Sequence, residues 1–335
     1  MKGLVVGGGS IGKRHLQNLK ILGVAELALV EPNSGRRQII VSETGASGYG
    51  SLDEGLRWAP DFVVIATPTH LHAAQAMMAA RQGIPFFVEK PLCHSTETLD
   101  DLCDFVARMK LVTLVGCNMR FHPGPAKVKE LIDQGSVGRL LFARLYVGSY
   151  LPSWRPTTDY RDNYAAREET GGGCLLDCIH EIDLARWYMG EVQDVFCFAD
   201  HLSSLQIETE DVAALLCRHA NGSLSEIHLD YVQRTYQRGC QIVGDLGSIF
   251  WDFNLSQVTH HDGATGKTSL FPAPAGWTLN QMYLDEMQHF LDCLRSARTS
   301  VFPVSEAATV MQIVFAAKRS ATEGRRVPAA REVFA

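Results

Sequence analysis

The sequence predicts an α/β protein of two domains, a doubly wound parallel sheet followed by a mostly antiparallel one. The chain has 335 residues, more than one domain usually holds. Over the first 120 residues, short apolar runs alternate with helical patterns, which is typical of a parallel sheet covered by helices. Beyond that point, strand-like runs are separated by turn residues. We therefore expect domains at 1–120 and 121–335, with the last helix packing back on the first domain.

The first domain begins with a strand, and strands and helices then follow one another. The predicted strands are Leu4–Val6, Leu27–Val30, Phe62–Ala66, Phe86–Val88 and Thr113–Val115. The predicted helices are Ile11–Leu22, Ala73–Gln82 and one that begins after Ser95.

The second domain opens with a predicted helix at Pro125–Gln134 and closes with helices at Leu279–Arg295 and Ser305–Thr322. Within SLSEIHLDYV, apolar and polar residues alternate, as in a strand with one buried face. Further predicted strands are Leu140–Val147, Val195–Ala199, Val212–Arg218, Cys240–Gly244 and Ser248–Phe253. The segment 149–173 is a long polar loop rich in aromatic residues, which suggests function rather than mere connection.

Composition excludes several classes of protein. Hydrophobic residues make up 46% and charged residues 20%, as in ordinary globular proteins. The net charge of −6 argues against binding to nucleic acid or to anionic membranes. Nine cysteines without a framework spacing suit reduced thiols, and we expect a cytoplasmic protein with no metal site. No segment reads as a signal peptide or a membrane span.

A glycine-rich loop follows the first predicted strand and opens the first predicted helix. Gly7, Gly9 and Gly12 in VVGGGSIGKRH have the spacing GxGxxG. Glycines also serve ordinary tight turns, but here they would let the backbone approach a pyrophosphate at a helix N-terminus. Ser10 and Ile11, which lie between them, belong to the same candidate cofactor-binding loop.

Glu31 ends the second predicted strand, about 20 residues after the glycines, where an acid would bind a ribose diol. The alternative is a solvated carboxylate at a strand end. Arg36 and Arg37 follow and could instead bind a 2′-phosphate. Because Glu31 would repel that phosphate, NAD is favoured over NADP.

Later strands also end in polar residues, at the sheet edge where open α/β sheets bind ligands. Thr67 and Pro68 are expected on the nicotinamide side, together with His72. His70 is expected only to begin the next helix. Glu89 and Lys90 end a further strand, and Pro91 fixes the chain after them. We expect Glu89 and Lys90 near the cofactor, although most lysines are simply solvated.

Residues 171–187, GGGCLLDCIHEIDLARW, predict one helix that begins after three glycines. Asp177, His180 and Asp183 are spaced by three and would share one stripe of that helix. Imidazole suits proton transfer because its ordinary pKa lies near neutrality. The alternative is a buried structural ion pair, for instance between Asp183 and Arg186.

The chain resembles the Gfo/Idh/MocA family of NAD(P)-dependent oxidoreductases in four motifs taken in order: GGGSIGKRH, ATPTHLHA, VEKP and GGGCLLDCIHEIDLARW. The resemblance covers nearly the whole chain. It implies an N-terminal Rossmann domain and a C-terminal α/β domain with a large open sheet that often forms oligomer contacts. It also implies substrates that are mainly sugars, polyols and their derivatives.

By matching motif, the resemblance makes Lys90 the catalytic lysine, His180 the general acid/base and Asp177 its accompanying carboxylate. Lys90 and His180 would then act on one substrate carbon, His180 taking the hydroxyl proton and Lys90 stabilising the alkoxide. Many members separate the Asp and His by four positions rather than three, so the division of labour between Asp177 and Asp183 stays open.

Other contacts are expected from the resemblance or from position. Asn118 and Arg120 follow the last Rossmann strand, and Trp154 with Arg155 resembles a cofactor-contacting pair of some relatives. Substrate contacts are also expected from the long loop and from a segment that would share one face if extended: Tyr160, Arg161, Tyr164, Arg234, Tyr236 and Arg238. Several arginines would suit a substrate carboxylate or phosphate.

The expected function is hydride transfer between NAD(P) and a hydroxyl or carbonyl carbon of a sugar, polyol, or acidic or nucleotide-linked sugar derivative. The spacing of three and a WRP…DYR loop resemble oxidoreductases of surface-polysaccharide and acidic-sugar pathways. One alternative is a redox-neutral NAD-dependent glycosidase or epimerase, and another is a non-catalytic NAD-sensing regulator. We expect a homodimer or homotetramer formed through the C-terminal sheet.

Overall fold

The computed structural model describes residues 1–155 and 158–329 and divides into two compact units. The first unit comprises Met1–Asn118 and Thr278–Ala308. The second comprises Met119–Trp277 and the chain from Thr309 onwards. The expected boundary after residue 120 lies close to the observed one, but 278–308 belongs to the first unit.

The first unit is built on a six-stranded parallel sheet. Its strands are β1 (Lys2–Val6), β2 (Glu26–Val30), β3 (Ser47–Tyr49), β4 (Phe62–Ile65), β5 (Phe86–Glu89) and β6 (Thr113–Gly116), in the spatial order β3-β2-β1-β4-β5-β6. Leu4, Val5 and Val6 of the central β1 are buried because helices cover both faces. The order reverses between β1 and β4, and the carboxyl ends of such strands form a ligand crevice.

Helices connect these strands. They are α1 (Ser10–Ile21), α2 (Ser34–Thr44), α3 (Leu52–Arg57), α4 (Thr69–Arg81) and α5 (Leu99–Met109). Asn33 caps α2 by accepting a hydrogen bond from the backbone N–H of Arg36 at 2.9 Å. His70 lies in α4, as expected.

The second unit is built on a nine-stranded sheet, with three α-helices between residues 119 and 277 and the greater part of the last helix, from Thr309 on. Its strands are β7 (Leu140–Gly148), β8 (Val192–Asp200), β9 (Val212–His219), β10 (Leu224–Asp230), β11 (Gln237–Gly244), β12 (Gly247–Asp252), β13 (Gln257–Asp262), β14 (Thr268–Pro272) and β15 (Val327–Pro328). The helices are α6 (Pro123–Asp133), α7 (Cys174–Asp177) and α8 (Ile179–Met189). The strand order is β14-β13-β12-β11-β7-β10-β9-β8-β15, and only β7 and β10 pair in parallel.

One face of this sheet is buried and the other is not. Along β9, Ala213, Leu215 and Cys217 are buried whereas Leu216 between them is 60% exposed. Helix α8 packs on β7 and β10. The alternation therefore separates a helix-covered face from an open face that carries apolar side chains.

Two long helices close the chain, α9 (Leu279–Ser296) and α10 (Val304–Glu323). Helix α9 belongs to the first unit, where the ring of Phe290 meets Phe62 at 5.8 Å and Phe87 at 6.1 Å. The first unit thus takes the penultimate helix and the beginning of the last one, rather than the whole last helix.

The structure corrects several sequence-based assignments. No element was expected between Val30 and Phe62, where α2, β3 and α3 lie, and β13, β14 and β15 were not expected either. These strands have two to six residues, and most of their side chains are exposed or half-buried, so their hydrophobic pattern is weak. The fold class itself is confirmed.

No described helix is long and apolar enough to cross a membrane. Within 1–155 and 158–329, no group of three or more His, Cys, Asp or Glu side chains could hold a metal ion. All nine cysteines lie in these ranges as thiols; eight are buried and Cys103 is half-buried.

Candidate active site

The glycine loop of the first unit is shaped for close backbone approach. A Cβ added to Gly12 would lie 1.9 Å from the carbonyl oxygen of Gly7, so only glycine fits where α1 crosses β1. A Cβ added to Gly9 would meet nothing within 4 Å. Helix α1 begins at Ser10, which is exposed, and its N–H groups are available at that open side.

Glu31 is buried at the end of β2, which excludes the alternative of a solvated carboxylate. Its Oε2 accepts a hydrogen bond from the N–H of Gly8 at 3.0 Å, and its Oε1 accepts one from the N–H of Asn33 at 2.9 Å. Arg36 pairs with the same carboxylate at 3.4 Å. The carboxylate is therefore fixed beside the glycine loop, and Arg36 is already engaged by it.

His72 lies in α4 with both ring nitrogens occupied. Its Nδ1 is 2.8 Å from the carbonyl oxygen of Pro91, and its Nε2 is 2.8 Å from that of Thr67. Burial lowers the pKa of His72, against the two carbonyls, which raise it. The ring is 1% exposed, so it connects the loops that carry Thr67 and Pro91 and does not face a ligand. Pro68, by contrast, is exposed at the N-cap of α4.

Glu89 and Lys90 lie at the carboxyl end of β5. Glu89 is bonded through Oε1 to Nε2 of His15 at 2.7 Å, and its Oε2 accepts from the N–H of Lys90 at 3.3 Å. Lys90 is half-buried. Asn118 is buried just beyond β6 and hydrogen-bonds Tyr283 of α9.

In the second unit, the predicted single helix is broken. Cys178 separates α7 from α8, so Asp177 and His180 lie on different helical segments. Gly173 enters α7 with φ +102°, and a Cβ there would lie 2.4 Å from Oε1 of Glu210. That oxygen accepts the N–H of Leu175 at 3.0 Å. The half-buried Glu210 thus accepts a backbone N–H at the start of α7, and nothing in residues 171–187 predicts this contact.

Asp177 is held by two tyrosines. Tyr164 donates its hydroxyl to Oδ1 at 3.1 Å, and Tyr231 donates to Oδ2 at 3.4 Å. Burial, with Asp177 beside it, raises the pKa of Tyr231 well above its ordinary value. Asp177 is 5% exposed and His180 8%. Sequence reasoning predicted Tyr164 but missed Tyr231, which merely continued the apolar face of β10.

Asp183 belongs to a structural ion pair, but not with the expected partner. Its carboxylate receives two hydrogen bonds from Arg120, at 2.6 and 2.9 Å, and Asp183 is fully buried. Arg186 instead pairs with Glu191 at 2.6 Å. Arg120, expected to contact the substrate, therefore pairs with Asp183 of α8 instead.

Arg238 forms a second buried pair with α8. Its guanidinium donates to both oxygens of Glu181, at 2.6 and 3.0 Å. Burial alone would lower the pKa of Arg238, but Glu181 outweighs it and holds that pKa above the ordinary value. Tyr236 lies 3.4 Å from the same guanidinium through its hydroxyl. Glu181 was missed because its partner is 57 residues away.

The segment carrying Arg234 and Tyr236 is not extended, so the expected common face is wrong. Asp230 accepts the N–H groups of Val232 and Gln233 at 2.9 and 2.7 Å, which ends β10 in a turn. Arg234 stacks on Tyr150 with its Cζ 3.7 Å from the ring centre.

The loop 149–173 splits into two groups, and its residues 156–157 lie outside those described. Tyr160 and Arg161 bind Gln206, at 3.1 and 2.9 Å. Trp154 donates its indole N–H to Ser149 at 2.8 Å, and Arg155 lies 5.5 Å from the ring centre of Tyr164. Only Tyr164 among them contacts Asp177 in the described hydrogen bonds.

Two family profiles match the chain. The oxidoreductase family with an NAD-binding Rossmann fold matches residues 1–117, and the GFO/IDH/MocA C-terminal domain matches residues 126–250. The chain belongs to the Gfo/Idh/MocA family. It is an NAD-dependent oxidoreductase, as its motifs predict.

Named relatives show the same organisation. Scyllo-inositol 2-dehydrogenase (NAD(+)) of Bacillus subtilis is 26% identical over 96% of this chain and 94% of its own. Levoglucosan dehydrogenase in complex with NADH superposes with a TM-score of 0.89 at 21% identity, covering 99% of both chains. The WlbA dehydrogenase from Bordetella pertussis, in complex with NADH and UDP-GlcNAcA, has a TM-score of 0.83 at 23% identity, again over 99% of both chains.

The first unit fits NAD on its own geometry. The open side of Gly9 and the first N–H groups of α1 suit a pyrophosphate, and the fixed carboxylate of Glu31 suits a ribose diol. Since Arg36 is engaged by that carboxylate, a 2′-phosphate would meet a negative group without a spare cation from Arg36.

Proposed function

We propose that the protein oxidises a secondary hydroxyl group of an uncharged sugar or polyol, with Lys90, Asp177 and His180 as catalytic residues. The observation that supports it best is the pair of tyrosine hydroxyls on Asp177, which fix a buried carboxylate three residues before His180.

Each residue has a distinct role in this proposal. Bound NAD supplies the hydride acceptor. His180 takes the hydroxyl proton of the substrate on a ring nitrogen, and the ammonium of Lys90 stabilises the alkoxide that forms. Asp177 orients His180 and the substrate hydroxyl, while Tyr164 and Tyr231 hold the carboxylate itself in place.

An uncharged substrate is favoured because two arginines that contact α8 are neutralised by carboxylates of that helix. Arg120 and Arg238, both expected from the sequence near the substrate, are paired with Asp183 and Glu181. A carboxylated substrate would therefore meet Asp177 without these two cations to compensate. This favours a neutral polyol, such as the one named in the scyllo-inositol relative, over an acidic or nucleotide-linked sugar.

The test is NADH formation with a panel of inositols, anhydrosugars, uronates and nucleotide sugars. We expect turnover with neutral members and little with uronates. Lys90→Ala and His180→Gln should each lower kcat by about 10²–10⁴-fold with NAD affinity kept. Lys267→Ala and His261→Gln, on exposed sites of the second unit, are the matched controls.

A double variant tests whether the two residues act on one carbon. If they do, Lys90→Ala combined with His180→Gln should cost much less than the product of the single losses. Full activity of either single variant refutes the assignment. Consumption of substrate without net NADH identifies a redox-neutral reaction instead, and NAD binding without turnover of any sugar points to a regulator.

The second unit also supports self-association. The open face of its sheet carries apolar side chains, including Phe142, Phe198, Leu216 and Leu224, beside the Arg144–Glu226 ion pair. Exposed apolar patches of this kind mark interfaces, and a sheet face can pair with its own copy by two-fold symmetry. We propose that the protein forms a homo-oligomer through this face. We also propose that it is cytoplasmic, where its free thiols would stay reduced.

Light scattering tests the assembly. Leu216→Glu should reduce the molecular mass to that of one chain, whereas Leu255→Glu, equally apolar and exposed in a turn between β12 and β13, should not. A wild-type monomer at micromolar concentration would refute the interface.

A further inference from the structure

A buried polar cluster in the first unit has no role in the reaction proposed above. It consists of His15 on α1, Glu89 at the end of β5, and Tyr283 and Glu286 on α9. His15 and Glu286 are fully buried, while the side chain of Glu89 keeps 12% of its surface exposed. Ionisable groups are seldom buried so completely without a reason.

Glu89 links this cluster to Lys90. One carboxylate oxygen lies 2.7 Å from Nε2 of His15, and the other accepts the backbone N–H of Lys90 at 3.3 Å. Gly116 on β6 leaves room for it, since a Cβ there would lie 3.1 Å from Oε2 of Glu89. The cluster therefore reaches the carboxyl edge of the sheet through one negatively charged side chain.

Glu286 is the unusual member. Neither of its carboxyl oxygens has a hydrogen-bond partner among the described residues, and Nδ1 of His15 has none either. Burial, with Glu89 as the second cause, raises the pKa of Glu286 well above its ordinary value. Burial beside Glu89 therefore favours the protonated form of Glu286, because no described group donates a hydrogen bond to its carboxyl oxygens.

The remaining charges around the cluster come from each element packed against it. Arg14 of α1 stacks on Tyr283 with its Cζ 4.5 Å from the ring centre, and burial raises the pKa of that tyrosine. From α4, His72 interacts electrostatically with Glu89, and Lys90 follows Glu89 in the chain. None of these described groups hydrogen-bonds the Glu286 carboxyl. A new positive charge at the sheet edge would therefore stabilise the carboxylate form of Glu286 without first breaking a hydrogen bond.

The strand order indicates where such a charge arrives. Glu31 and the glycine loop, at the ends of β2 and β1, suit the adenosine half and the pyrophosphate. The nicotinamide half then extends past the switch point towards β4 and β5, where Glu89 lies. This placement rests on the proposed function. The oxidised nicotinamide ring carries a positive charge that the reduced ring lacks.

We propose that Glu286 releases its proton when NAD⁺ binds and keeps it when NADH binds, so that the cluster of His15, Glu89 and Glu286 distinguishes the cofactor's redox states by charge. Only the carboxyl O–H bond of Glu286 breaks; the proton passes to solvent by way of the partly exposed Glu89, and no electron moves. For charges about 10 Å apart at an effective dielectric constant of about 20, the coupling is about one pKa unit.

Calorimetric titration with NAD⁺ and NADH tests this, without any sugar. Binding heats measured in buffers of different ionisation enthalpy give the number of protons exchanged, between pH 6.5 and 9.5. Wild-type protein should release a fraction of a proton with NAD⁺ and none with NADH. Its preference for NAD⁺ over NADH should rise about tenfold across that range.

Glu286→Gln keeps the shape of the side chain but has no proton to release. It should bind both cofactors without proton exchange and with a preference that no longer changes with pH. Asp285→Asn, the neighbouring exposed residue of α9, is the matched control and should behave like the wild type.

Two results overturn the proposal. One is equal proton release by the wild type with NAD⁺ and with NADH, which needs no variant and so survives a Glu286→Gln protein that fails to fold. The other is unchanged proton release in a folded Glu286→Gln protein. If proton release holds but no sugar is oxidised, only the proposed function fails.

Discussion

The polar sites of the two units are built from different chemical groups. In the first, the glycine loop offers backbone N–H groups, and one buried carboxylate fixes the loop. In the second, α8 is held by two buried guanidinium–carboxylate pairs, and Asp177 by two tyrosine hydroxyls. A site made of backbone N–H groups requires that no side chain block the approach of the ligand. A site made of side chains requires hydrogen-bond and ion-pair partners that are distant in sequence. The two should therefore fail under different substitutions.

The largest effect is expected from breaking a buried pair in the second unit. Arg238→Ala removes the cation paired with the Glu181 carboxylate, which is 1% exposed, and this should cost about 3–5 kcal/mol of unfolding free energy. Denaturant unfolding followed by fluorescence measures it, since four of the five tryptophans lie in this unit.

Arg139→Ala is the matched control in the same unit, because it breaks an exposed pair with Asp245 and should cost less than about 1 kcal/mol. Combining Arg238→Met with Glu181→Leu should restore much of the loss, since apolar replacement of both partners is often neutral. Equal costs for Arg238→Ala and Arg139→Ala would contradict the comparison.

The second unit should also be sensitive to acid through His122. Burial, with Arg238 nearby, lowers the pKa of His122 from 6.5 to about 4. Below pH 6.5 the histidine of the unfolded chain is protonated whereas the buried ring of the native chain is not. The free energy of unfolding therefore falls by about 3 kcal/mol as the pH drops from 7 to 4. His122→Asn, which can still cap Gly124, should flatten this part of the stability–pH curve.

The exposed His261→Asn should leave the curve of the wild type unchanged. A His122→Asn protein with the same pH dependence as the wild type would show that other groups carry the acid sensitivity.

In the first unit, a single methyl group should be enough to separate folding from binding. Gly12→Ala places a Cβ 1.9 Å from the oxygen of Gly7 and should cost about 1–3 kcal/mol of stability as well as NAD binding. Gly9→Ala meets open space, so stability should not change while NAD affinity falls about tenfold. Melting temperature and NAD titration separate the two; equal melting temperatures for both variants would show that the loop relaxes.

The smallest effect tests the one side chain on which the backbone site depends. Glu31→Gln keeps an acceptor but loses the charge, so NAD should bind about tenfold more weakly and the discrimination against NADP should shrink by a similar factor. Glu26→Gln, exposed on the same strand, is the control. Unchanged NAD and NADP affinities would remove Glu31 from the cofactor site.

The contacts of the glycine loop are easier to predict from the sequence than those of the side chains around α8. Gly7, Gly9, Gly12 and Glu31 lie within 25 residues. Gly7 and Gly12 are demanded by steric limits in the protein itself, Gly9 leaves open space beside the loop, and a local pattern records all three. The fold class followed from similar local periodicities. The same local reasoning predicted Asp177, His180 and Tyr164 as site residues, which stay predictions. It placed Asp177 and His180 on one continuous helix, and that part is wrong.

The side-chain partners could not be read in this way. Arg120 and Asp183 are 63 residues apart, and Arg238 and Glu181 are 57 residues apart. Nothing in the residues near Arg120 or Arg238 distinguishes a guanidinium that binds a substrate from one that pairs with a helix. The start of α7 depends likewise on Glu210, which a sequence pattern at 171–187 does not contain.

The burial of the thiols makes their reactivity a measure of how much of the protein is folded. Eight cysteines are buried and only Cys103 is half-buried, with a pKa that burial raises to about 11. A thiol-specific alkylating reagent should therefore modify the native chain slowly and at one position, then at nine once the chain opens. Mass spectrometry of the alkylated protein would thus count intact and unfolded molecules in any preparation, including each variant above.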